Sequence, residues 1–174
     1  MTKILIISGS PRRNGKTQVL MKYIFEYVKQ KNSDTKLVNL SDGGIDYYDG
    51  TSDYSDTTKQ AAKDITEADI WLVGTPIYNS FFSAALKNLF EYIDYKKTEG
   101  KTAGLVILAS SNSGFTDVQT LLTQLMSYFN VITNPRAVFV TANTIVNDQI
   151  IDPEVKLRLE ALVDQTLDLA SKIH

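Results

Sequence analysis

The sequence predicts a doubly wound α/β domain, with one parallel sheet covered by helices on both faces. Three observations carry that expectation. Strand-type and helix-type hydrophobic patterns alternate five times along 174 residues. The clearest strands, at 4–7, 70–73 and 105–108, are unbroken apolar runs, as expected of parallel strands buried on both faces. The first of these runs leads directly into a loop rich in hydroxyls, glycine and arginine and then into a helix start, the arrangement that places a ligand at the carboxyl ends of the strands.

The elements follow in order. Residues 4–7 form the first strand, and helix one over 16–31 carries Val19, Leu20, Tyr23, Ile24 and Tyr27 at spacings of three and four. A weaker strand is expected at 35–40, then a short helix over 57–67 capped by Thr57 or Asp56. Ile70-Trp71-Leu72-Val73-Gly74 is the third strand and 82–95 the third helix. A fourth strand at 105–108 precedes a helix over 117–129, and 137–141 gives the fifth strand. The last helix opens at Asp152-Pro153-Glu154, a cap, a first-position proline and an acidic first turn. Its apolar stripe is Val155, Leu159, Leu162, Leu169 and Ile173. No repeat or linker divides the chain, so residues 1–174 form one domain, long enough for a substantial core.

Composition narrows the chemistry. Lysine and arginine number 18 against 20 acidic residues, a net charge of −2 that gives no electrostatic footprint for nucleic acid or an anionic membrane. Cysteine is absent, which removes disulfides, thiolate nucleophiles, cysteine-ligated zinc and iron–sulfur clusters. The only histidine is His174, so a positioned imidazole and histidine-ligated metals drop out as well. No apolar run reaches the length of a membrane span. The N-terminal run is short and leads into Pro11-Arg12-Arg13, unlike a signal peptide, so the expected compartment is the cytoplasm. Segment 41–58 holds Asp42, Asp46, Asp49, Asp53 and Asp56, three tyrosines and no basic residue; its spacing does not fit a calcium loop, and it reads as a solvated connection.

Three loops at the carboxyl ends of strands one, three and four are candidates for the site: 8–16, 75–81 and 109–116. In the first, Ser10 and Thr17 supply hydroxyls and Arg12 or Arg13 a guanidinium suited to phosphate, at a helix N-terminus where backbone N–H groups converge near Gly15. Gly15-Lys16-Thr17 has the look of a triphosphate-binding loop. That motif, however, has four residues between its glycines, and Gly9 and Gly15 enclose five. In the second loop Pro76 fixes the backbone, Tyr78 offers an aromatic face at the ligand's edge, and the N–H groups of Asn79 and Ser80 can point at a ring system. Phe81 and Phe82 are large apolar groups in the same loop, set for an interface, a ligand or the core. The third loop, with Ser110, Ser111, Asn112 and Gly114, is small and polar and admits a planar ligand closely.

These residues carry a family resemblance. Gly9-Ser10-Pro11-Arg12 followed by Thr17 resembles the phosphate loop of the NAD(P)H-dependent FMN reductases, flavodoxin-like flavoproteins that include quinone and azo-dye reductases. Pro76-Ile77-Tyr78-Asn79 with Ala85-Leu86-Lys87-Asn88 resembles that family's second signature. The chain departs from the pattern at Ile77, where the family has glutamate, at Ser80 and Ala84, where it has glycine, and at Ser83, where it has proline. The resemblance implies a flavodoxin-like three-layer sandwich with strand order 2-1-3-4-5. It implies FMN held by Ser10, Arg12, Arg13, Gly15 and Thr17 at its phosphate, and by Pro76, Ile77, Tyr78, Asn79, Ser80, Ser110, Ser111, Asn112 and Gly114 elsewhere. No side chain then acts as a catalytic group, because the chemistry resides on FMN. NADPH or NADH would be the co-substrate, and a flavin, quinone, azo compound or similar molecule the acceptor. A homodimer or homotetramer packed through the helix beginning near Ser83, with Lys87 and Glu91 available for pairing, is also implied; at i,i+4 those two equally form a pair on one helix surface. The alternative is a flavodoxin-type electron carrier that binds FMN without reacting with a nicotinamide.

Overall fold

The computed structural model describes residues 2–173, so His174 lies outside the described residues. The strands in chain order are β1 (Ile4–Ser8), β2 (Thr35–Asn39), β3 (Ile70–Tyr78), β4 (Phe81–Phe82), β5 (Thr102–Ala109), β6 (Ile132–Thr133), β7 (Val138–Thr141), β8 (Ile145–Val146) and β9 (Gln149–Ile150). The helices are α1 (Lys16–Lys29), α2 (Asp56–Glu67), α3 (Ala84–Phe90), α4 (Phe115–Tyr128) and α5 (Pro153–Ile173). Parallel pairing runs β2-β1-β3-β5, with β6 and β7 following one another along the outer side of β5. Taken as one interrupted strand, β6 and β7 complete the expected order 2-1-3-4-5. No helix among the described residues is long and apolar enough to cross a membrane.

Alternation along the strands sorts the core into two layers. Leu5, Ile7, Trp71, Val73, Leu105 and Ile107 face α2, α3 and α4. Ile4, Ile6, Ile70, Leu72, Val106 and Leu108 face α1 and α5. Each such side chain contributes about 1.5–3 kcal/mol by leaving water. Trp71 anchors the first layer: it is fully buried, its ring meets Phe90 and Phe129 edge-on, and its Nε1 donates to the Ile65 carbonyl at 2.9 Å. On the opposite layer Gly74 has no side chain to hold α1 off, and a Cβ there would stand 2.2 Å from the Met21 sulfur.

Element boundaries differ from the sequence reading where polar local contacts decide them. The third strand continues past Gly74 to Tyr78 and turns back into β4, pairing Ile77 with Phe82 and Tyr78 with Phe81. Asn79 and Ser80 both take left-handed φ values, 48° and 67°, which closes a two-residue hairpin. Consequently α3 begins at Ala84 rather than 82, because the Ser83 hydroxyl accepts the N–H groups of Ala85 and Leu86. It also stops at Phe90, well short of 95; the chain continues in turns, and the Asp94 carboxylate caps the single 3-10 turn Tyr95–Lys97. Ser55, not Thr57 or Asp56, caps α2, and α1 ends at Lys29. The fourth helix spans Phe115–Tyr128, two residues ahead of the expected start.

At the fifth strand position, two residues of β5, Gly104 and Leu105, face four residues, 134–137. The surplus is absorbed around Pro135, which has no N–H to pair. Buried Asn134 secures the break, donating its N–H to the Ala103 carbonyl at 2.7 Å and its amide to Thr166 Oγ1 at 3.1 Å. A second two-residue hairpin, β8–β9 through Asn147 and Asp148, was not expected and covers the α1 layer with Ile145 and Ile150. Along α5 the buried stripe is Val155, Leu159, Leu162, Val163, Thr166 and Ala170. The 3.6-residue period rotates it away from Leu169 and from Ile173, which is 37% exposed.

Segment 41–58 is a tethered connection. Asp46 is its hub: the carboxylate accepts from Ser55 N at 2.6 Å and Thr58 Oγ1 at 2.8 Å, while its carbonyl accepts from Asn88 Nδ2 and Tyr92 OH. Those side-chain and backbone hydrogen bonds hold the Asp46 carboxyl below the usual carboxylate range. Gly74→Ala is expected to lower stability by about 1–3 kcal/mol through forced repacking against α1. In urea unfolding, adding Met21→Ala should recover part of that loss, and strict additivity of the two changes would show that the contact does not set the helix position.

Candidate functional site

The site grows out of the seam between β1 and β3. As the chain leaves β1, Gly9 N donates to the Gly74 carbonyl at 2.7 Å, and a Cβ on Gly9 would lie 2.6 Å from that oxygen. Glycine is therefore required for the loop to run this close to β3. The loop then folds over itself. Arg12 N donates to Ser10 Oγ at 3.3 Å, and Gly15 N donates to the Arg12 carbonyl at 3.1 Å across Asn14, which sits at φ 53°. A Cβ on Gly15 would come within 2.8 Å of the Arg12 carbonyl.

This turn delivers the N-terminus of α1 without a cap. Gly15 offers no side chain, and no acidic residue occupies the first turn. The N–H groups of Lys16 and Thr17 thus lack intrahelical acceptors at the positive end of a helix of 14 residues. Buried hydroxyls of Ser10 and Thr17 flank them, and Ser8 carries a buried hydroxyl with no partner one residue ahead of Gly9. Lys16 Nζ turns aside to the Ala142 carbonyl at 2.5 Å, away from the post a triphosphate loop would give it.

Two hollows open here. The first, about 360 Å3, is lined by Ser10, Arg12, Gly15, Thr17, Pro76, Ile77, Tyr78 and Ser110, all expected, together with Asn14, Lys16, Leu108, Ala109 and Ala142. The second, about 410 Å3, is lined by Ile77, Asn79, Ser80, Ser110, Ser111 and Gly114, with Ala109, Ser113 and Asp117 in addition. They abut, sharing Ile77, Ala109 and Ser110. Arg13 and Asn112 line neither hollow; both are exposed. A larger groove of about 960 Å3 lies between α1 and the β8–β9 hairpin, but among the expected site residues it holds none.

Strand alternation explains the placement of the middle loop. Ile77 packs into the α3–α4 layer, and its δ-carbon lies 3.6 Å from where a Cβ on Gly114 would be. Tyr78 points to the other face, where its hydroxyl meets Ser10 Oγ at 3.2 Å. It therefore lines the first hollow and not the second. Of the two phenylalanines, Phe82 packs on the core and Phe81 is 56% exposed. The lining residues missed from sequence fall into two kinds. Asn14, Lys16 and Ser113 were adjacent to chosen residues, whereas Ala142 follows the fifth strand, and only the fold brings it to Lys16.

The comparisons agree with this geometry. Residues 2–145 match the profile of the NADPH-dependent FMN reductase family. The chain is 28% identical over 165 residues to an NAD(P)H-dependent FAD/FMN reductase of Geobacillus thermodenitrificans, spanning 92% of this chain and 89% of that enzyme. It is 32% identical over 118 residues to an FMN-dependent NADPH-azoreductase of Staphylococcus aureus, spanning 64% of this chain and 61% of that enzyme. In fold it is similar to the apo form of an NADH:FMN oxidoreductase, EmoB, with a TM-score of 0.81 at 21% identity, covering 95% and 88% of the two chains. The chain belongs to the NADPH-dependent FMN reductase family and is an oxidoreductase that works with FMN and a reduced nicotinamide nucleotide.

Proposed function

We propose that one FMN occupies both hollows, its 5′-phosphate in the first and its ring in the second, and that electrons pass from NADPH or NADH through it to a small flat acceptor such as a flavin, quinone or azo compound. The uncapped α1 N-terminus carries this reading: N–H donors, two buried hydroxyls and one arginine gather at one end of the first hollow. Bound there, FMN supplies the hydride- and electron-transfer chemistry. The protein's part is positional. Ser10, Arg12, Thr17 and the first-turn N–H groups hold the phosphate dianion, with the Arg12 guanidinium giving a charge-assisted contact. Ile77 and Gly114 lie against one another in the lining of the second hollow. Backbone N–H groups of the turn at Asn79 and Ser80 would be the donors available to a ring held there. The exposed serines of 110–113 leave the outer side of the second hollow open to co-substrate and acceptor in turn.

The flavin and azo acceptors are supported by the reductase and azoreductase relatives. The proposed compartment is the cytoplasm, where reduced nicotinamides are made, and cell fractionation checks it. We also propose a homodimer or homotetramer through the rim where α3 begins. Exposed Phe81 supports it; Lys87 and Glu91 do not, since they pair with each other on α3. By light scattering, the holoprotein should have the mass of two or four chains and Phe81→Asp that of one; a monomeric wild type would sink the assembly.

Anaerobic addition of NADPH or NADH to the purified FMN-loaded protein should bleach the flavin band within turnover times. A flavin that stays oxidised would instead mark an electron carrier. Arg12→Ala should weaken FMN binding about ten- to a hundredfold, from the loss of a hydrogen bond to a charged group. Arg13→Ala should leave it within about twofold, and equal losses in the two variants would refute the assignment of Arg12.

A further inference from the structure

We infer that Tyr78 reads the phosphate of the cofactor rather than its ring, and that the Ser10–Tyr78 hydroxyl pair makes the site selective for a flavin 5′-phosphate over the free flavin. The inference rests on the FMN reading above and assigns a recognition task within it.

Three observations converge. First, β3 carries its pairing out to Tyr78, so the phenol stands on the α1 side of the sheet beside Pro76, opposite Ile77. Had the strand ended at Gly74, nothing would direct that ring. Second, the two hydroxyls are 3.2 Å apart, and Ser10 Oγ also accepts Arg12 N–H. If the phenol donates to Ser10, the serine proton is left over; if the serine donates to the phenol, the tyrosine proton is left over. Either way the pair keeps one unspent O–H donor, and both residues line the first hollow. Third, Ser10 is 2% exposed and Tyr78 40% exposed, so the pair joins a hydroxyl already stripped of water to one on a side chain that reaches the open hollow. A phosphate dianion gains a charge-assisted bond from this donor, whereas a ribityl hydroxyl in its place gains only a neutral one.

The test is equilibrium titration of the apoprotein with FMN and with riboflavin, followed by flavin fluorescence, for the wild type, Tyr78→Phe and Ser10→Ala. Removing only the phenolic oxygen should raise the Kd for FMN about tenfold and leave that for riboflavin within about twofold. Ser10→Ala should act in the same direction, and the double variant should cost less than the two single losses combined, because the hydroxyls act as one unit. Equal weakening of FMN and riboflavin by Tyr78→Phe would place the phenol at the ring and overturn the inference. So would an unchanged affinity for both. Thermal unfolding of each variant separates loss of fold from loss of recognition. A wild type that binds neither flavin would instead refute the cofactor reading itself.

Discussion

The approach of Gly9 to Gly74 is the constraint on which the rest of the site depends. One N–H···O contact of 2.7 Å, with no room for a Cβ on Gly9, locks the exit of β1 to the middle of β3. Gly74 then serves both its faces at once. Its carbonyl receives Gly9, and its missing side chain lets Met21 of α1 lie against the strand. The helix whose N-terminus must meet the ligand and the strand whose extension must flank it are thereby positioned by the same two residues. The first loop adds its own contacts, Arg12 N to Ser10 Oγ and Gly15 N to the Arg12 carbonyl, to a position set by the regular elements beneath it.

Much of this architecture was legible in the residues. Buried parallel strands announce themselves because both faces are apolar, and Ile4 to Ile7 or Ile70 to Val73 leave little choice of period. Asp152-Pro153-Glu154 marked the start of α5 because a cap, a locked φ and an acidic turn are local chemistry. The hairpins were not legible. Asn79-Ser80 and Asn147-Asp148 carry no glycine, and their positive φ values are imposed by the strands they join. The early end of α3 was equally hidden, since nothing in 91–95 disfavours a helix until the Asp94 carboxylate finds the Lys96 N–H.

At the site, residue types were easier to read than directions. The hydroxyls and guanidinium of the first loop were recognisable by density, but residue type alone left Arg12 and Arg13 equivalent and only the motif favoured Arg12. The structure separates them, since Arg12 lines the first hollow and Arg13 does not. Tyr78 shows the same limit: its type places an aromatic side chain at the ligand's edge, yet it takes the four further strand residues 75–78 to set its hydroxyl beside Ser10. The acidic segment is a third case. Its aspartates look alike on paper, and Asp46 gathers five hydrogen bonds, tying the connection after β2 to α2 and to the α3 region.

The break between β6 and β7 has a consequence beyond local geometry. An outermost strand normally offers a continuous row of unpaired amides and carbonyls, an invitation to another chain's strand. Here that row is cut at Asn134–Arg136, with a proline in the gap. At the far side β2 is only five residues long, and its Lys36 is tied to Asp64 of α2. Short or interrupted margins of this kind give another chain's strand little to pair with.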